Sequence, residues 1–261
     1  MGLIRATPQY ATARALESRD AVREIENRRR QWWDKRLLRS AYANAWQELA
    51  AFAAPGPSLE IGCGCGNLDG VLPHYWKSDI VALPWADLVA DAMRLPFRSG
   101  TLSNIVGTDV LHHLPRPLDF FMEAARALRP DGRVLLLEPY MSWVSYPLFR
   151  YLHPERADLR RDPFDCAHGE PAAAASVNQA AATLLFCRNR DTLAQQVAQL
   201  EVIHCRPRDA IAYPLSGGYS FPALVPGFAE AWAWRLEGLL GPWMPFIGFR
   251  LAVALRRKEG A

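Results

Sequence analysis

The chain has 261 residues, half of them apolar and 22% charged, with a formal net charge of +3. That length suits one α/β domain with a helical addition and is enough to bury a full core, while so weak a positive balance gives no electrostatic reason to expect nucleic acid. No apolar stretch approaches a membrane span, the opening MGLIRATPQYATARALESRD lacks the apolar core of a secretory signal, and Ala6 stands where a myristoylation signal needs Ser or Thr.

Residues ~12–53 read as one long or broken helix that stops at Pro55-Gly56-Pro57. Ile25, Trp32, Leu38, Tyr42, Trp46 and Leu49 recur on one side of it, so the basic cluster Arg28-Arg29-Arg30, Lys35-Arg36 and Arg39 reads as a solvated face in preference to a phosphate-binding surface. Short apolar runs then alternate with helical segments. Leu59–Ile61 is strand one, followed by a glycine turn and a short helix from Asn67 to Tyr75. Ser78–Ala82 is strand two and contains Asp79, Asp87–Ala90 is strand three, and Leu102–Gly107 is strand four. A helix over Pro117–Leu128 ends at the turn Pro130-Asp131-Gly132, and Arg133–Glu138 is strand five. This alternation predicts parallel βαβ units in a doubly wound sheet. From 140 to 180 the chain mixes aromatics, prolines and charges, including the alanine run Ala172–Ala175, and reads as a lid or substrate loop. A helix near Arg190–Ala198, a strand near Glu201–Cys205, a Trp-rich helix at Phe228–Leu240 and a last strand Gly248–Arg256 complete the order.

The turn after strand one, Leu59-Glu60-Ile61-Gly62-Cys63-Gly64-Cys65-Gly66, carries the chemistry. Glycine permits positive φ and close backbone approach, so a strand, a glycine turn and a helix start set several N–H groups around a small concave site. The dinucleotide fingerprint G-x-G-x-x-G fails because Asn67 replaces its last glycine. Glu60 suits a ligand with a positive charge nearby, which points to S-adenosylmethionine. Of the five cysteines, Cys63 and Cys65 fill the variable slots of the turn; no second pair of ligands has metal spacing, so no metal is expected and a reducing cytoplasm fits.

Four segments in order, LEIGCGCG, ADAMRLPF at 90–97, DVLHHLPRP at 109–117 and ARALRPDGRVLLLEP at 125–139, resemble the class I S-adenosylmethionine-dependent methyltransferases of the type 11 group. The resemblance implies a Rossmann-like seven-stranded sheet whose last strand is antiparallel. It also implies an N-terminal helical cap at 1–55 and a main domain at 56–261, with a cofactor half at 58–139 and an acceptor half, with a lid inserted after strand five, at 140–261. Compared with the family, the helix after the glycine turn is shortened and SDIVALPWADLVADA leaves little room for a helix after strand two. A carboxylate can accept both hydrogen bonds of a ribose diol. The resemblance gives that task to Asp79, with Asp87 as the substitute. Asp91 and the N–H of Ala92 take the adenine edge, Glu60, Gly62, Cys63, Gly64 and Gly66 form the turn, and Asp109 stands where the methionyl part meets the acceptor. An Asp at a strand end is often only a turn former; motif and placement favour function at 91 and 109.

His113 is a candidate general base, with packing the plainer role for His112 and His113; Tyr140 either lines the acceptor site or caps the sheet. Methyl transfer from an activated cofactor needs positioning and water exclusion, and a base only for a poorly acidic hydroxyl. No Asp/Asn-Pro-Pro-Tyr motif of exocyclic amine methylation occurs, Glu138-Pro139-Tyr140 being different. The expected acceptor is a small molecule, apolar or a lipid-linked saccharide, because many of the nine tryptophans fall outside the cofactor half. The 239–247 segment could touch a membrane. A non-catalytic scaffold and a dinucleotide oxidoreductase are the rival readings.

Overall fold

The computed structural model describes residues 18–68, 75–164 and 177–259. Seven strands form one sheet in the order β3-β2-β1-β4-β5-β7-β6: β1 (Ser58–Ile61), β2 (Tyr75–Asp79), β3 (Leu88–Val89), β4 (Leu102–Thr108), β5 (Leu128–Pro139), β6 (Leu200–Arg208) and β7 (Arg250–Arg257). From β3 across to β5 the neighbours are parallel, and β7 runs antiparallel between β5 and β6. This is the Rossmann-like methyltransferase sheet the sequence predicts.

Period-2 alternation sorts the central strands between two layers. Val106, Leu135, Leu137, Ala252 and Ala254 meet one layer, built from Leu38, Tyr42, Trp46 and Leu49 of α2 (Arg36–Ala50). Their neighbours Ile105, Val134, Leu136 and Val253 face the other, with Phe120 and Phe121 of α3 (Pro117–Ala127) and Leu185 and Phe186. The predicted N-terminal helix is broken, into α1 (Ser18–Asp34) and α2, at Lys35. Part of its basic cluster is a solvated face, Arg30 and Arg36 being exposed, and part folds inward. Arg39 folds back onto the carbonyls of Trp32 (2.9 Å) and Trp33, and Lys35 donates to the carbonyls of Gly218 (2.6 Å) and Phe221 (2.5 Å).

Several boundaries move. Strand two lies at Tyr75–Asp79, not 78–82, because the Asp79 carboxylate accepts the N–H of Val81 (3.0 Å) and turns the chain out of the sheet there. The Pro130-Asp131-Gly132 turn lies within β5 as an irregularity: the pairing jumps from Leu102–Leu128 to Asn104–Arg133, and Asp131 adopts φ 62°. The predicted helix from Asn67 to Tyr75 falls mostly outside the described residues, as does the alanine run. The 140–180 segment holds α4 (Ser145–Tyr151), and α5 (Ala181–Thr183) continues as a π-helical turn over Leu184–Arg188 before α6 (Arg190–Gln196). After β6 come α7 (Ala212–Leu215), α8 (Glu230–Leu239) and α9 (Met244–Ile247). Glu237 secures this region by accepting the N–H groups of Ala210, Ile211 and Ala212 at 2.7–2.8 Å. Trp234 donates to Ser40 of α2 (3.2 Å), and Glu230 pairs with Arg36 (2.5 Å).

Candidate functional site

The glycine turn sits at the carboxyl end of β1 and is held from both sides. Cys63 N–H reaches Ser78 O (2.9 Å), Gly66 N–H reaches Cys63 O (2.7 Å), and Gly64 N–H reaches the Asp79 carboxylate (2.9 Å). Gly62, Gly64 and Gly66 all have positive φ, of 58°, 42° and 75°. Two of them are glycine for different reasons. A Cβ on Gly62 would lie 2.6 Å from Val110 Cγ2, so that position is fixed by packing against the loop after β4. A Cβ on Gly64 would meet nothing closer than the Gly62 carbonyl at 3.8 Å, so there the missing side chain leaves space beside the backbone. Glu60 is buried beneath the turn, and its carbonyl accepts from the Ser78 hydroxyl (2.7 Å). Burial, reinforced by the charges of Glu60 and Asp79, pushes the Cys63 thiol up, and burial carries Cys65 to about 11. Both side chains are packing thiols.

Asp79 spends one oxygen on Gly64 N–H and the other on Val81 N–H, which aims the carboxylate at the turn and leaves each oxygen a lone pair for a ligand. Asp87, the substitute, is exposed and caps the N–H of Lys77 at 2.7 Å. Asp91 closes a tight turn by accepting from Met93 N–H (2.9 Å), while its carbonyl accepts from Arg94 N–H (2.9 Å). Ala92 beside it packs, half buried, on the core.

The loop after β4 is the second half of the site. Asp109 adopts φ 53°, a left-handed conformation uncommon outside glycine and concentrated at functional sites. Its carboxylate accepts from Tyr42 OH (2.6 Å) and pairs with the fully buried Arg250 of β7 (2.8 Å). Burial raises the Asp109 carboxyl, and Arg250 opposes the shift. The Arg250 guanidinium lies between the rings of Tyr42 and Tyr213, 4.7 and 4.8 Å from their centroids. Trp32 and Tyr219 extend this aromatic wall.

Glu138, at the end of β5, organises the same loop from below. One of its oxygens accepts the N–H groups of Val110 and Leu111 (both 2.8 Å), and the other meets His112 Nδ1 (2.8 Å). Burial works against the His112 imidazolium, but the hydrogen bonds from Glu138 and Glu155 prevail and carry it to about 9. Desolvation and the charge of His112 lower His113 to about 4, although the residue is exposed. A base that weak is poorly matched to a hydroxyl proton near pH 7. Tyr140 donates its OH to Pro245 O (2.9 Å) and its N–H to Phe249 O (2.8 Å), tying the end of β5 to the segment before β7.

Sequence reasoning missed the roof over the glycine turn. Trp85 donates its indole N–H to Gly64 O (2.7 Å), and Arg29 of α1 stacks on the Trp85 ring (4.5 Å) while donating to Cys65 O (2.7 Å). Tyr219 OH reaches Asn67 (3.1 Å). It missed Arg250 and Glu138 as well; for Glu138 the signal was present, an acid closing an otherwise apolar strand.

Residues 59–136 match the family model of the type 11 methyltransferase domain. That segment is similar to the methyltransferase domain. The match runs from β1 into β5 and covers the glycine turn, Asp79, Asp91 and Asp109; Glu138 lies two residues beyond it. A mouse protein, tRNA (carboxymethyluridine(34)-5-O)-methyltransferase ALKBH8, is 30% identical over 108 residues, 35% of this chain and 16% of that protein; the chain therefore spans about a sixth of that relative's length. Among solved structures, a chain from the complex of the Haloferax volcanii Trm112 methyltransferase activator with a methyltransferase is 14% identical. It covers 94% of this chain and 99% of its own, with a TM-score of 0.50, a likeness of fold alone. The geranyl diphosphate C-methyltransferase of Streptomyces coelicolor A3(2), solved with Mg2+, geranyl diphosphate and S-adenosylhomocysteine, is 14% identical over 84% of this chain and 77% of its own, with a TM-score of 0.44.

Proposed function

We propose that the chain transfers a methyl group from S-adenosylmethionine to a small-molecule acceptor. The observation that carries this reading is the left-handed Gly64, whose missing side chain would meet no atom closer than 3.8 Å, with the Asp79 carboxylate aimed at the same backbone, inside the segment that matches the methyltransferase family. When bound, S-adenosylmethionine supplies a methyl carbon already activated by a sulfonium. The chain's own residues hold and orient. Asp79 offers its remaining lone pairs to a ribose diol, Asp91 with Ala92 takes the adenine edge, and Glu60 lies under the turn as a nearby negative charge. Asp109 is fixed by Tyr42 and Arg250, so a charged partner meets a carboxylate that does not reorient. The roof of Arg29, Trp85 and Tyr219 excludes water from the turn.

The acceptor we favour is apolar or a lipid-linked saccharide, in preference to the tRNA named for the mouse relative. Much of the basic cluster of α1 and α2 is engaged within the chain: Arg28 with Glu24 (2.6 Å), Arg29 with Cys65 O, Lys35 with Gly218 O and Phe221 O, and Arg36 with Glu230, while Arg30 is exposed. Large apolar side chains stand outward instead. Trp143 is 79% exposed and Trp243 60%, and each packs against Phe246. Such a cluster, with Tyr151 and Leu152 nearby in sequence, suits contact with a lipid surface that presents the acceptor. No helix among the described residues is long and apolar enough to cross a membrane. On this reading the described parts of 140–180 and 214–246 close over the acceptor, and the helices of 18–50 cap the remaining side; 1–17 and 165–176 lie outside the described residues. Calorimetry with S-adenosylhomocysteine and NADH tests the cofactor: binding of the first and not the second is expected, and the reverse overturns the reading. Cosedimentation with vesicles, lost on Trp143→Ser with Trp243→Ser, tests the surface.

A further inference from the structure

We propose that His112, His113 and Glu155 form a site for a divalent first-row cation that receives an oxygen atom of the acceptor. The inference rests on the methyltransferase reading for the acceptor, but not for the cation. One ligand atom from each of the three side chains lies within 4.8 Å of the others, the one such grouping of histidine, cysteine and carboxylate among the described residues. Two imidazoles and a carboxylate are a donor set suited to Zn2+, Co2+, Fe2+ or Mn2+.

The surroundings are those of a built site. His112 is fully buried and turns Nδ1 to Glu138 (2.8 Å), which leaves Nε2 directed at Glu155, 3.6 Å away. A carboxylate behind the far nitrogen of a histidine fixes the ring and raises its basicity as a metal ligand. Glu155 is held in the same way, by the Gln179 amide, and its loop is pinned by Gln179 N–H to Arg156 O (2.9 Å). Asn178 N–H reaches His112 O (3.0 Å), so the histidine turn and the Glu155 loop share one support. The rings of His112 and His113 lie 4.1 Å apart with 38° between their planes, close enough for both to face one centre.

Charge points the same way. Asp109 is balanced by Arg250 and Arg28 by Glu24. Glu138 and Glu155 both lie against His112, and once its imidazolium gives up a proton to bind a cation, two carboxylates with two neutral imidazoles balance one divalent charge. The position gives the site its use. The histidine turn follows Asp109 directly at the carboxyl end of β4, so an oxygen held there lies on the acceptor side of the loop that the methyl donor would share.

The test is Co2+ titrated into the chelator-treated full chain, followed by visible absorption and calorimetry, with S-adenosylhomocysteine binding measured in parallel on the metal-free chain. Saturable one-site binding with d–d absorption is expected, weakened at least tenfold by His113→Ala and by Glu155→Gln and unchanged by His204→Ala on β6. The first two side chains reach solvent, and circular dichroism confirms that each variant folds. Absence of saturable Co2+ binding, or equal affinity in all three variants, overturns the proposal. Co2+ binding without S-adenosylhomocysteine binding supports the cation site and overturns the cofactor reading; the opposite result overturns the cation site alone.

Discussion

Gly62 and Gly64 stand two residues apart with similar backbone angles, yet replacing each by alanine should break different things. At Gly62 the new Cβ would sit 2.6 Å from Val110 Cγ2 and 3.1 Å from its Cβ, at φ 58°. A left-handed alanine costs ~1–2 kcal/mol, and forcing a methyl into a packed contact costs about 1–3 kcal/mol more. Gly62→Ala should therefore lose roughly 2–5 kcal/mol of stability, or roughly 5–15 °C in Tm for a chain of this size. At Gly64 only the backbone cost of ~1–2 kcal/mol applies, because the nearest atom is 3.8 Å away. That methyl instead fills the space we assign to the cofactor, so Gly64→Ala should fold nearly as well as the parent and lose S-adenosylhomocysteine affinity. Gly64→Val should abolish it. Scanning calorimetry and isothermal titration read the two effects separately. Val110→Ala added to Gly62→Ala relieves the clash, so the double variant should be less unstable than the sum of the two single changes. Equal loss of stability at both glycines, or unchanged affinity in Gly64→Val, would refute the division of labour.

Asp91→Ala should weaken S-adenosylhomocysteine by ~1–3 kcal/mol while barely changing the affinity of an analogue without the exocyclic amine; equal losses on both ligands would reduce Asp91 to the cap on Met93 N–H. Thiol reactivity should rise with pH in an order set by burial: with Cys65 held at about 11, about one molecule in a thousand is thiolate at pH 8, so alkylation followed by peptide mapping should find Cys205, whose thiol is lowered by its hydrogen bond from Cys187, modified long before Cys63 or Cys65. Lys35→Met removes both donations to the 218–221 turn and should speed hydrogen exchange across 215–221 without altering exchange in β4 or β5. Exchange in 140–180 should slow when S-adenosylhomocysteine and acceptor are both present, and a segment that stays fast while the glycine turn becomes protected would remove the lid and keep the cofactor site.

What the sequence made legible was local. Gly62 to Gly66, Asp91 and Asp109 stand out because glycine spacing and an acid at a strand end are properties of a few neighbouring residues, and β5 is visible through its apolar run Val134 to Leu137. Arg250 is invisible by the same logic: it lies in the last strand, and only the placement of β7 against β5 brings it to Asp109 and Tyr42. The basic run of α1 and α2 was legible only in part, because helical periodicity separates apolar from polar faces but cannot see the carbonyls of Gly218 and Phe221 arriving opposite Lys35. Strand two was placed three residues late because the side chain of Asp79, not a run of β-formers, ends it. Glu138 shows as an acid closing an apolar run, but its partners, the N–H groups of Val110 and Leu111 and the His112 ring, converge on it only in the fold.

The last strand in chain order lies inside the sheet, between β5 and β6. During synthesis the run Val134 to Leu137 must therefore wait with one hydrogen-bonding edge bare until residue 257 has been made, a long-range pairing that is slow to form and open to the wrong partner meanwhile. The same delay applies to chemistry, because Arg250 reaches Asp109 only on that strand. A ribosome-bound chain that already has its glycine turn, Asp79 and Asp91 still lacks the cation that fixes Asp109. Such a nascent chain is expected to engage chaperones through β5, and to acquire a fixed Asp109 only in the moment that closes the sheet.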